Sequence, residues 1–155
     1  MEELDEGRVP AEPRLQSAVD ELLPRGISGS ELADLEGGWA SWLVDPPEAA
    51  AFTERGPYLF RLGARLLNVE IDDAIVTAVG RLFVVVDVAR RGVNEIAFGN
   101  AGIGSLIVPR QARPLTALGA LAVRDLKRGG PQFEPEATPG RAWTLLRHRL
   151  TGRLR

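Results

Sequence analysis

The chain has 155 residues, 45% of them hydrophobic and 26% charged, enough for one domain with a core of its own and an ordinary globular balance. It has no cysteine and a single histidine, which removes disulfides, cysteine-ligated zinc, iron–sulfur clusters, thiol nucleophiles and three-histidine metal sites. The formal net charge is −2, yet residues 1–54 hold 13 acids against 3 bases while residues 55–155 hold 8 acids against 16 bases. Such polarity fits an acidic segment folding over a basic one, or two surfaces that meet different partners.

In chain order, residues 1–13 are acidic and contain Pro10 and Pro13, so a disordered arm is expected there. The opening Met1-Glu2-Glu3 is unlike a secretory signal, and no apolar run reaches the roughly 20 residues of a membrane span. The richest, 74–89, is broken by Arg81 and Asp87, so the expected location is cytoplasmic. Leu15, Val19, Leu22 and Leu23 share the face of a short helix ended by Pro24-Arg25-Gly26. Ser28-Gly29-Ser30-Glu31 has capping-box spacing: Ser28 can accept from the third helical amide while Glu31 reaches back. Leu32 and Leu35 face inward in that helix, which Gly37-Gly38 is expected to stop. A further helix, capped at Asp45 and started by Pro46-Pro47, covers 48–55 and stops at Gly56-Pro57. Leu59, Leu62 and Leu66 then recur at helical spacing over 58–67.

The centre reads as a sheet. Leu82 to Val88 is short, nearly all apolar and rich in β-branched residues, the signature of a strand buried on both faces. Segments 66–71 and 74–79 flank Asp72-Asp73 as a hairpin, with 93–98 and 105–108 as further strands, the last ended by Pro109. Short links favour an antiparallel meander. Leu115, Leu118, Ala122 and Leu126 form the core stripe of a helix ended by Gly129-Gly130. Residues 129–140 read as a Pro/Gly linker, after which Thr138-Pro139 caps a last, basic helix. The expected fold class is α+β: one domain over 14–128, a mainly antiparallel sheet of about five strands, amino-terminal helices and carboxy-terminal helices, with 141–155 as a basic helix beyond the linker.

Few residues invite chemistry. Gly99, Gly102, Gly104 and Ser105 form a glycine-rich loop that superficially resembles a nucleotide-phosphate loop. It is followed by a strand rather than the helix such a loop needs, so no cofactor is expected. Glu70, Asp72 and Asp73, with Asp87 as a fourth acid, form a weak candidate for a divalent-cation site. His148 stands between Arg147 and Arg149 and is expected at the surface, with its pKa lowered by those cations. Trp39, Trp42, Phe52, Tyr58 and Phe60 read as core or as the lining of a groove.

Residues 141–155 carry Arg141, Arg147, Arg149, Arg153 and Arg155 without one acid, beside an apolar stripe of Trp143, Leu146 and Leu150. In one reading the stripe packs on the domain and the arginines stay solvated or pair with the acidic half. In the other, Arg141, Trp143, Arg147, Arg149 and Arg153 bind a partner. An acidic protein surface or a sister subunit in a homo-oligomer ranks ahead of nucleic acid, since the pI is 5.5. The function expected is therefore a non-catalytic macromolecule-binding or assembly module. A small-ligand or nucleotide-binding enzyme using loop 99–105 is the alternative.

Overall fold

In the computed structural model, which describes residues 12–40, 49–91, 106–128 and 133–154, Asp72 turns no hairpin. It N-caps an 18-residue helix: its carboxylate accepts from the Ala74 amide at 2.7 Å, and Asp73 and Arg90 sit at the ends that favour their charges. This helix, Asp73–Arg90, contains the whole of the expected central strand and the second strand of the hairpin, while the first, 66–71, falls at the end of the preceding helix and in the connection that follows it. Helical geometry costs each β-branched residue a few tenths of a kcal/mol relative to better formers, about 0.7 at most. Burying a valine side chain returns about 1.5–3 kcal/mol. Val76, Val79, Leu82, Val84, Val86 and Val88 are all buried, so burial outweighs propensity. The run is apolar nearly all round because the helix lies between neighbours, not because it is a central strand.

The described elements are helices α1 (Pro13–Leu22), α2 (Gly29–Ala40), α3 (Ala49–Leu66), α4 (Asp73–Arg90), α5 (Arg113–Arg128) and α6 (Pro139–Thr151), with strands β1 (Leu106–Ile107) and β2 (Arg153–Leu154). The five-stranded meander is thus replaced by a helical assembly, with one two-stranded antiparallel sheet among the described residues. In that sheet Leu106 faces Leu154 and Ile107 faces Arg153. The expected strand at 105–108 survives as β1, whereas that at 93–98 lies outside the described residues.

α3 runs straight through Gly56-Pro57, where a stop was expected. Gly56 and Gly80 explain it: a Cβ on Gly56 would lie 2.0 Å from the Gly80 carbonyl oxygen, so the α3 and α4 backbones touch there. Proline inside a helix costs about 3 kcal/mol, which the packing of this crossing offsets, with Pro57 itself fully buried. Next to the crossing, Phe60 and Phe83 meet with ring centroids 5.7 Å apart. α2 likewise continues through Gly37-Gly38 to Ala40, since glycine disfavours a helix interior by only about 1 kcal/mol. Its start is as read: the Glu31 amide donates to Ser28 Oγ at 3.2 Å and the Ser28 amide to Glu31 Oε2 at 2.9 Å. α2 then packs on α3 through an Arg65–Glu31 ion pair and a 3.3 Å hydrogen bond from Tyr58 to Asp34.

α5 crosses the other side of α4, with Gly119 set against Val79. Leu118, expected in the core stripe of α5, is instead exposed, while Ala120, Ala122 and Val123 are buried. α6 packs antiparallel on α5, and β2 closes back on the chain before α5. Gly152 makes that return: its φ of +70° is left-handed, its amide donates to the His148 carbonyl at 2.7 Å, and its carbonyl accepts from Val108 at 2.8 Å.

Candidate functional site

The last helix begins as the sequence indicates. Thr138 is its N-cap, accepting from the Arg141 amide at 3.4 Å, and Pro139 occupies the first turn. Its orientation reverses the expectation that the apolar stripe packs inward. The residues facing α5 are polar: Arg141, Thr144 and His148 are buried. Trp143, Leu146 and Leu150 are 64%, 46% and 69% exposed on the opposite side.

Arg141 and His148 have partners outside the helix that account for the reversal, while Thr144 donates to the Gly140 carbonyl within it at 3.0 Å. Arg141 Nη1 donates to both oxygens of Asp125 at 2.9 and 2.7 Å, and Arg90 Nη2 reaches the same carboxylate at 2.8 Å. Arg90 also stacks over the Phe133 ring, 5.1 Å from its centroid, and donates to the Glu134 carbonyl at 3.1 Å. The Glu134 side chain binds Arg124 and Arg128, and the Arg124 hydrogen bond chiefly holds its carboxyl down to about 2. Asp125 therefore ties α4, α5 and α6 together in a cluster of four arginines and two acids.

His148 is 1% exposed, a correction to its expected surface position. Its Nδ1 lies 3.3 Å from the Arg153 carbonyl and its Nε2 2.9 Å from Thr116 Oγ1. A carbonyl can only accept, so Nδ1 carries the proton, and the one Thr116 hydroxyl proton is shared between Nε2 and the Ala112 carbonyl, 3.1 Å away. Burial, and then the nearby positive charge of Arg113, hold the imidazole pKa below its ordinary value, so the ring is neutral at neutral pH. Burial, not the flanking arginines, is the main cause.

The outer face thus has an apolar ridge, Trp143-Leu146-Leu150, with Arg149 on one flank and Arg147 on the other. Leaving three large apolar side chains in water forgoes about 1.5–3 kcal/mol apiece, and contiguous patches of this kind mark interaction surfaces. Of the other expected binders, Arg141 is consumed by Asp125, while Arg149 and Arg153 are exposed. Among the described residues the acidic amino-terminal half pairs with α3 and α4, Glu31 with Arg65 and Glu54 with Arg81, and not with this helix.

The remaining candidates are spent or scattered. Asp72 caps α4, and Asp73 is bound by Arg61 through Nε at 2.6 Å and Nη2 at 3.0 Å. Glu70 is exposed in the connection before α4. Asp87 pairs with Arg91, fourteen residues along the helix and so about 21 Å from Asp73. Among the described residues no cluster of three or more histidines, aspartates and glutamates is placed to hold a metal. Phe60 is core, and Tyr58 is half-buried with its hydroxyl donating to Asp34. Gly99, Gly102, Gly104 and Ser105, and the side chains of Trp39, Trp42 and Phe52, lie outside the described residues.

Asp125, Thr116 and the buried role of His148 are absent from the sequence reading. One signal was available: Asp125 is the one acid of helix 113–128 and stands three residues after Ala122 of the apolar stripe, where a buried carboxylate calls for a cation. No protein-family model, curated protein or solved structure matches the chain. Among the described residues no helix is long and apolar enough to cross a membrane.

Proposed function

We propose that this protein is a non-catalytic binding and assembly module that docks an acidic, apolar-bearing protein segment on the outer face of α6. The observation that carries this reading is the exposed Trp143-Leu146-Leu150 ridge, held outward by a buried ion pair on the opposite side of the same helix. Charge selects the partner. Residues 139–155 contain five arginines and no acid, so two copies pairing ridge to ridge would oppose like charges. A segment presenting leucine-sized side chains between carboxylates satisfies both the ridge and its flanks, and arginine forks suit carboxylates.

The cysteine-free chain allows a direct test. Leu146→Cys carries an environment-sensitive fluorophore on the ridge, titrated with a designed acidic amphipathic peptide, its lysine counterpart, anionic vesicles and duplex DNA. A saturable blue shift for the acidic peptide alone, lost in Leu150→Asp, is the expected result. A stronger response to vesicles or DNA, or none to the peptide, overturns the reading. Sedimentation of the unlabelled protein at low and high salt separates a sister subunit from a foreign partner.

A further inference from the structure

Where the start of α5 meets the end of α6, the two helices leave an open cleft of about 700 Å³. Its walls are largely apolar, with Pro114 and Ala117 from α5 and Leu145 and Leu150 from α6. Among the described residues three arginines border it and no acid does. They are not equivalent. Arg113 is committed to the fold: its Nη1 donates to the carbonyls of Arg149 and Leu150 at 2.9 and 2.8 Å, closing the free end of α6. Arg110 and Arg149 are exposed and make no ion pair or side-chain hydrogen bond among the described residues. The His148 ring completes the wall, held by Thr116 and the Arg153 carbonyl.

We infer that this cleft is a binding site for a small amphipathic carboxylate, an apolar body carrying a single carboxylate that lies between Arg110 and Arg149. Cleft size falls within the range of about 300–1,000 Å³ typical of small-ligand sites, where a mostly apolar lining gives affinity and a few polar groups set orientation. Two uncommitted guanidiniums at an apolar wall match one planar carboxylate by bidentate hydrogen bonding, and a neutral analogue would leave both unanswered. Arg113 cannot turn to the ligand without uncapping α6, so it contributes charge but no contact. The site is distinct from the docking ridge, sharing Leu150 and the flanking Arg149 with it but not Trp143 or Leu146.

The sole histidine of the chain is a wall residue, so its imidazole proton resonances report occupancy without ambiguity. The full chain is titrated with 3-phenylpropionate, its amide, acetate and phenyl phosphate at fixed salt. The expected result is a saturable shift of the His148 signals with 3-phenylpropionate, and binding at least about tenfold weaker for the amide and acetate. Ala117→Phe, which fills the cleft, should abolish the shift. Arg110→Gln with Arg149→Gln, both at exposed positions, should weaken binding about tenfold while the circular dichroism stays unchanged. Trp143→Ala should bind the probe as wild type does, even though it removes the docking ridge, so this site and the docking surface can fail separately. Absence of saturation at millimolar probe, wild-type binding in the double arginine variant, or tighter binding of phenyl phosphate than of the carboxylate would each overturn the inference.

Discussion

α4 and α6 are both helices whose sequences offer an apolar face, and they use it in opposite ways. α4 turns valines and leucines towards α3 and α5 on nearly every side. α6 turns Arg141, Thr144 and His148 inward and leaves Trp143, Leu146 and Leu150 in water. The difference lies in what each helix meets. Along most of its length α4 meets glycines and apolar side chains, Gly56 and Phe60 on one side and Gly119 on another, and it reaches Asp125 through Arg90, its last residue. α6 meets Asp125 and Thr116, which supply charge and hydrogen bonds that a leucine could not answer. A buried carboxylate with one cation removed is costly by several kcal/mol, and that asymmetry holds the helix in its orientation.

Substitutions should separate the two helices sharply. The largest effect is expected for Gly80→Val in α4, whose Cβ would lie 2.4 Å from the Gly56 backbone carbon. Two helices would have to part there, so a loss of more than about 4 kcal/mol in urea unfolding, or no soluble folded protein, is expected. A loss below about 1 kcal/mol would mean the crossing is not tight.

Asp125→Asn comes next. It strands Arg90 and Arg141, both less than one-fifth exposed, without their carboxylate. The expected cost is about 3–5 kcal/mol, and near-neutral behaviour would remove the explanation offered for the polar face of α6.

Two smaller effects follow from pH. The folded His148 has a lowered pKa, so below about 6.5 the unfolded chain takes up a proton that the native state refuses. Stability should therefore fall as pH drops through that value, by at most about 1.4 kcal/mol per pH unit for one proton. His148→Asn should remove that slope, whatever its cost at pH 8; an unchanged slope between pH 7 and 5.5 would place its origin elsewhere. Glu134 behaves differently. Its folded pKa is held down to about 2, so its contribution is present above about 4.5 and disappears between there and pH 2. Glu134→Gln should flatten that acid limb and leave the His148 window intact.

The smallest stability effect is expected on the ridge. Trp143→Ala should move the unfolding free energy by no more than about 0.5 kcal/mol, because the side chain gains little burial in the isolated protein. A loss of more than about 2 kcal/mol would show that the indole is packed, and the docking proposal would lose its basis.

What could be read from sequence was what is local. The Ser28–Glu31 capping box and the Thr138-Pro139 start of α6 each need three or four consecutive residues, and both stand as read. The stripe from Leu115 to Leu126 indicated a helix from spacing alone, although its Leu118 is exposed, and the helical spacing over 58–67 falls largely within a helix that starts earlier, at Ala49. What failed depended on neighbours far along the chain. Leu82–Val88 fits a buried strand or a buried helix equally by composition, and only Gly56 lying against Gly80, with Gly119 against Val79, decides for the helix. In the same way α6 carries an apolar stripe and a polar stripe on opposite sides, and periodicity cannot say which one faces the protein. Asp125, sixteen residues upstream of Arg141, settles it: a buried carboxylate needs a buried cation, so the arginine turned inward and the tryptophan was left outside.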